Sequence, residues 1–265
     1  MLAVMMGLAL AACATPPTDP VARAEFEQVN DPLEPMNRAI FDFNLAFDRF
    51  FLRPLAELYR AVLPQIVRDG IRNAADNLSL PLVFANDVLQ GEFQRAGETV
   101  ARLGVNSTLG IAGIFDVAAR LGIEPHDEDL GQTLAVWGVG SGPYLMLPVF
   151  GPRPPRQLIG SIAENLADPF NWYIRDISHD YWPFVRDFVS GIDVRARNIE
   201  TLDEIERTSI DFYATIRSLY RQHRDAQIRN GAPAADDLTD DELLFSDSDD
   251  QIEVTGAAPA TARDE

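Results

Sequence analysis

Asp31-Pro-Leu-Glu-Pro-Met-Asn-Arg-Ala-Ile-Phe-Asp-Phe-Asn44 is the stretch that decides how this chain folds. Asp31 and Glu34 have the spacing of a capping box, and Pro35 follows as a second initiation signal. Two start registers stay open, because Pro35 cannot donate an intrahelical bond at the fourth helical position. From either start, the pattern predicts a helix running to Arg53 and stopped by Pro54. Met36, Ile40, Phe43, Phe47, Phe50 and Phe51 give it a wide apolar face. Asn37, Phe41, Asn44 and Asp48 fall on a single stripe that is mostly polar. That stripe is either a solvated face or the lining of a wet internal passage, which makes Asn37, Asn44 and Asp48 the candidate channel-lining residues.

Downstream, glycines at 104, 110, 113, 122 and 131 predict short helices joined by tight turns between Val100 and Thr133. Leu134–Trp137 and Tyr144–Pro148 flank Gly138-Val-Gly-Ser-Gly-Pro143, which predicts one short β-hairpin around a Gly-rich loop able to move. Trp172-Tyr173 and Tyr181-Trp182 are amphipathic pairs, either half-buried or seated at a membrane interface. A last helix is expected from about Asp193 to Arg229. It has an apolar seam and seven Arg, and either packs with a solvated basic side or lies on anionic headgroups. The fold class expected is mostly α: amphipathic helices with one short hairpin and no conventional transmembrane helix, since no later stretch is continuously apolar for eighteen residues.

The ends differ in kind from the middle. Leu2 to Leu10 is apolar and leads into Leu10-Ala-Ala-Cys13, a lipobox that makes residues 1–12 a lipoprotein signal peptide and Cys13 the lipid anchor. No Arg or Lys precedes the apolar run, a departure from the usual leader. Ala14 rather than Asp follows the cysteine, which points to the outer membrane. Residues 13–30, Pro-rich at their start, form an extended tether. After a folded region of about 31–230, residues 231–265 read as an acidic disordered tail, with eleven acids and one Arg from Ala234 onward.

The formal charge of −19 disfavours a nucleic-acid partner, which needs a net basic face. All 22 basic residues are Arg, as codon usage in a GC-rich genome would give. The single cysteine excludes an internal disulfide and a Cys-ligated metal cluster. His126, His179 and His223 have no partner at metal-ligand spacing, and Glu124–Asp129 is only a weak ligand run. Ser141 is flanked directly by glycines and so does not match the nucleophile elbow, and no Walker A sequence occurs. No catalytic residue, metal or cofactor is expected.

Taken in order, these residues resemble the MlaA (VacJ) family of outer-membrane lipoproteins. The resemblance runs through Asp31–Asn44, Arg53-Pro54, Asn77-Leu78, Pro81, Asn86, Leu89–Gly91, Asn106–Gly110, Asp116–Ala118 and Gly131–Leu134. It ends in Trp137-Gly-Val-Gly-Ser-Gly-Pro-Tyr144 and Leu147-Pro148, and spans about residues 13–230. It implies a ring-like helical protein embedded in the inner leaflet of the outer membrane. It also implies removal of misplaced glycerophospholipid from the outer leaflet through a central channel. A soluble periplasmic lipid carrier and a trimeric porin are the implied partners. The gating hairpin of the family maps onto Gly138, Gly140, Gly142 and Tyr144. The acidic tail and the absence of Lys are not family features. An envelope scaffold and, further off, a lipid hydrolase using His126 or His179 with a nearby carboxylate or Ser141 are the alternative functions.

Overall fold

The computed structural model describes residues 29–177 and 181–232, with Asp19 in addition. Cys13, His179, residues 1–12 and most of the tether and tail lie outside the described residues. Eleven α-helices are described: α1 Glu34–Phe47, α2 Arg53–Val62, α3 Gln65–Gln90, α4 Phe93–Thr108, α5 Val117–Arg120, α6 Leu130–Val136, α7 Pro155–Ala167, α8 Pro169–Ile177, α9 Trp182–Arg197, α10 Ile199–Thr208 and α11 Phe212–Ile228. Strands β1 (Met146–Leu147) and β2 (Gly151–Pro152) pair antiparallel, Met146 with Pro152 and Leu147 with Gly151. No described helix is long and apolar enough to cross a membrane.

Four expectations about the helices are corrected. Asp31 does not cap α1. Leu33 is the N-cap residue, without a side-chain hydrogen bond, and Pro35 occupies the first turn. Nor does Pro54 stop the helix. A five-residue π-helical segment, Asp48–Leu52, carries the chain into α2, and the Arg53 N–H bonds the Asp48 carbonyl five residues back. Pro54 then sits in the first turn of α2, where a missing N–H costs nothing. The expected last helix is three helices, because Ser209 is extended and Asp211 starts α11 by accepting the Ala214 N–H. Gly104 also stays inside α4 rather than ending it.

The contacts close a circuit. α3 packs on α4, α6 and α9; α6 meets α7 and α11; α11 touches α10, and α10 touches α9. Small residues permit the tightest join, since a Cβ on Gly160 of α7 would stand 2.6 Å from the Gly131 nitrogen of α6. Opposite charges join the first helices to the last. Arg38 pairs with Asp211, Arg49 with Glu206, Arg53 with Asp203 and Arg60 with Glu200, a descending antiparallel ladder. Asp48 crosses to Arg195 of α9 through two hydrogen bonds of 2.6 and 2.8 Å.

Polar and apolar residues are placed inside out. Buried residues include fourteen polar or charged ones against twelve hydrophobic ones, of which four are alanine. Meanwhile Phe50 is 85% exposed, Phe93 73%, Phe150 72% and Phe184 70%, and large apolar side chains stay exposed on every long helix. Apolar exposure on that scale suits a wall facing hydrocarbon rather than water.

The ladder is predicted to be acid-sensitive. The hydrogen bond from Arg38 holds the Asp211 carboxyl down to about 2. A depressed carboxylate contributes stability above its unfolded pKa of about 4 and loses it as pH falls towards the folded value. Asp211→Asn should therefore flatten the fall in melting temperature across that window. An unchanged pH profile in the variant would remove this contribution.

Candidate functional site: a pinned hairpin and a polar cavity

The hairpin is displaced from where the sequence places it. Leu130–Val136 is helical rather than a strand arm, because Asp129 accepts the Gln132 N–H at 2.9 Å and so caps α6. The Gly-rich run becomes the connection from α6 to β1, with Gly138 and Gly142 at φ +86° and +74°. The turn itself is Pro148-Val149-Phe150, and Val149 sits at φ +68°. A β-branched residue there is strained. Exposed Gly140 has open space around its α-carbon, whereas a Cβ on Gly142 would press on Pro155 at 3.0 Å.

Asn37 and Asn44, two turns apart on α1, hold this hairpin. The Asn37 amide donates to the Tyr144 carbonyl at 3.0 Å and accepts the Met146 N–H at 2.9 Å. The Asn44 amide donates to the Leu147 carbonyl at 3.0 Å and accepts the Val149 N–H at 2.7 Å. Each side chain mimics a strand neighbour, so α1 supplies the ladder bonds that a two-stranded hairpin lacks. Asn37 is completely buried and lines no cavity described; Asn44 and Asp48 border one of about 210 Å³. Protein partners thus account for Asn37, the candidate channel-lining residue that is sealed from solvent, whereas Asn44 and Asp48 combine such partners with a place on a cavity wall.

Behind Asn37 lies Asp31, also buried. Its carboxylate accepts the Asn37 amide at 2.8 Å, the Tyr213 hydroxyl at 2.5 Å and an Arg217 N–H at 2.6 Å. Burial and the Asp31 charge push the Tyr213 hydroxyl far above its ordinary pKa. Tyr144, 3% exposed, packs edge-on against Tyr213 and Tyr220 and donates its N–H to the Asn30 carbonyl.

The hairpin divides two cavities. Met146 and Val149 border the one against α1 and α11, and Leu147 and Phe150 border one of about 410 Å³ against α7. A third cavity of about 500 Å³ is the polar one that sequence reasoning missed. Arg72, Asp76 and Asn77 of α3, Arg102 of α4, Asp127 and Arg197 of α9 line it. A fourth of about 220 Å³, bordered by Arg60, Asp69 and Glu200, shares Arg72 and Arg197 with it. Those two arginines therefore stand between two cavities with charged linings beside α3 and α9. Asp76 keeps solvent access inside protein walls; burial pushes its carboxyl up, and the nearby Asp127 charge adds to that. Asn73, Asp76 and Asn77, with Asn86 further on, are a polar run on α3 that signals these cavities in the sequence.

Among the described residues, His126 and Ser141 lie apart. His126 meets Asp87 at 3.2 Å and Thr99 at 3.1 Å through the same ring nitrogen, Nε2. Exposed Ser141 donates to the Gly142 carbonyl and has no contact with His126. Among the described residues no group of three His, Cys, Asp or Glu is placed to hold a metal ion.

A family model described as MlaA lipoprotein matches residues 29–227. The chain belongs to the MlaA lipoprotein family. The Escherichia coli (strain K12) member, named intermembrane phospholipid transport system lipoprotein MlaA, is 34% identical over 228 residues, 84% of this chain and 85% of its own length. An uncharacterized protein of Rickettsia bellii is 36% identical over 203 residues, 76% of this chain and 78% of its own. A solved structure reported as "Structural basis for maintenance of bacterial outer membrane lipid asymmetry" superposes with a TM-score of 0.68 at 33% identity. It covers 75% of this chain and 98% of that one.

Removing the clamps should free the hairpin before it unfolds the protein. Asn44→Ala is expected to speed hydrogen exchange at Val149 by about tenfold or more, the worth of a lost hydrogen bond. Asn37→Ala, at a fully buried site, should also cost about 2–4 kcal/mol of stability. Exchange at Val149 equal to wild type would show that Asn44 does not hold the turn.

Proposed function

We propose that this chain is an outer-membrane lipoprotein that removes mislocalised glycerophospholipid from the outer leaflet and hands it to a soluble periplasmic lipid carrier, maintaining lipid asymmetry. In this reading Cys13 carries the lipid anchor, and the folded part sits in the bilayer on its periplasmic side, beside a trimeric porin. The observation that carries it is the pair of charged cavities along α3 and α9, in a body that also exposes large apolar side chains on every long helix. Family membership, and the transport system named for the E. coli relative, support it.

Physical cost favours such an arrangement. Two acyl chains hold roughly thirty methylenes, each worth about 0.8 kcal/mol on leaving water, so free extraction is prohibitive. The charged headgroup cannot cross hydrocarbon unaided either. A polar cavity bordered by apolar outer faces lets the headgroup travel wet while the chains stay in lipid. The hairpin, with the flexible Gly138–Gly142 connection and Tyr144 at its root, is the gate. It stands between two cavities and is held by four side-chain hydrogen bonds rather than by a sheet. Trp172, Tyr173, Tyr181 and Trp182, all exposed, mark the headgroup level.

Outer-leaflet phospholipid measured on a deletion strain tests the reading. Wild type should restore low surface phospholipid. Ser79→Trp, which fills the polar cavity from α3, should leave it as high as in the deletion at normal protein level. Cys13→Ala should fail by mislocalisation. A Ser79→Trp strain with normal surface lipid overturns this reading, and the scaffold reading then stands in its place.

A further inference from the structure

We propose that the polar cavity is a headgroup-reading site for zwitterionic aminophospholipid, in which Arg72 and Arg197 take the phosphate and Asp76 and Asp127 take the ammonium. The proposal deepens the lipid-passage reading and rests on it.

The charges of the cavity divide into those already satisfied and those left for a guest. Arg102 is 6% exposed and committed: it pairs with Asp116 at 2.9 Å and also donates to the Ile123 carbonyl. Asp116 in turn accepts from Asn106 and the Ala119 N–H. That pair closes one wall and offers little to a ligand.

The remaining four groups are different. Arg197 uses only Nε, on Asp193 at 2.8 Å, which leaves both terminal nitrogens of its fork to other acceptors. Arg72 approaches Asp69 only at 3.4 Å, a loose surface pair. Asp76 and Asp127 line the same cavity and take part in no ion pair among the described residues. Burial and the proximity of Asp127 both raise the Asp76 pKa, so this corner is short of positive charge. Asn77, 7% exposed on the same wall, has a side-chain oxygen that accepts no hydrogen bond. The corner therefore offers acceptors to a small cation with several N–H donors.

Two guanidinium forks and two carboxylates in one cavity sum to zero, as do a phosphodiester and a primary ammonium. Arg is suited to the phosphate, since its planar fork binds two oxygens at once. A compact ammonium with three donors matches the two carboxylates. An anionic lipid without the ammonium would satisfy the arginines but leave Asp76 and Asp127 facing its glycerol. Asp76 and Asp127 are both open to solvent, so the site discriminates by their attraction for the ammonium and their repulsion of a second anionic group rather than by desolvation. Arg72 and Arg197 also border the adjoining cavity, so a headgroup leaving the site passes the phosphate-binding pair last.

The test uses the full acylated chain, purified in mild detergent from membranes containing phosphatidylethanolamine and phosphatidylglycerol, with bound lipid counted by mass spectrometry. Wild type should hold phosphatidylethanolamine in excess of its share of the membrane. Asp76→Asn with Asp127→Asn should lower the bound ethanolamine-to-glycerol lipid ratio by about tenfold, the loss of a charge-assisted bond, while total lipid is kept. Arg72→Gln with Arg197→Gln should lower both lipids together. Equal ratios in wild type and the Asp double variant, at full occupancy and unchanged melting temperature, overturn the headgroup site and leave the passage standing. Wild type free of phospholipid overturns the passage, and this proposal with it.

Discussion

Asp31 is the carboxylate on which the folded frame depends. It is buried and holds three side chains of two helices at once: Asn37 of α1, and Tyr213 and Arg217 of α11. A carboxylate taken out of water is tolerable only when charge and donors surround it, and here they come from opposite ends of the chain. The Asn37 amide that donates to Asp31 is the same group that donates to the hairpin carbonyl at Tyr144. One charge therefore fixes the closure of the chain on itself and the root of the hairpin together. Losing it strands the Arg217 guanidinium, which is why it matters more than any single apolar contact in so small a hydrophobic core.

The same constraint explains why the interior is written in Arg and carboxylate. With apolar side chains turned outward, helices cannot be held together by burying hydrocarbon away from water, because both sides of the packing face are equally apolar. Directional bonds must do that work. Arg38–Asp211, Arg53–Asp203, Arg195–Asp48 and Arg224–Asp129 are all two-pronged, a geometry the point charge of Lys does not offer. Codon usage suffices to account for the absence of Lys, yet the fold has put the resulting forks to structural use.

How much of this is legible without coordinates depends on the range of the interaction. The α1 helix, the mostly helical class and the presence of one hairpin follow from local spacing. The hairpin's register does not, because Leu130–Val136 carries β-prone residues that the Asp129 cap overrides. Pro54 reads as a stop since the π-helical segment that absorbs it leaves no local mark. The α1 stripe is visibly special, but Asn37 and Asn44 bond backbone more than a hundred residues away, and a side chain that spans such a distance looks solvated in sequence. The polar cavity is the hardest to see. Its walls come from α3, α4, the loop before α6 and α9, and only the polar run of α3 hints at it.

Motion of the hairpin is bounded by the same bonds. Moving it as a unit breaks the four hydrogen bonds to Asn37 and Asn44, each worth about 1 kcal/mol net. At roughly 3–4 kcal/mol an open state is populated at the level of about 1% or less. Such a population keeps the hairpin closed between the two cavities for nearly all of the time, which is what the gating role proposed above requires at rest. The alternative, in which α1 travels with the hairpin, must also break Arg38–Asp211, Asp48–Arg195 and the bonds to Asp31. Partly buried charges make that far costlier than four neutral hydrogen bonds. Movement is thus confined to the hairpin and its glycine connection, with α1 as the fixed post against which it opens.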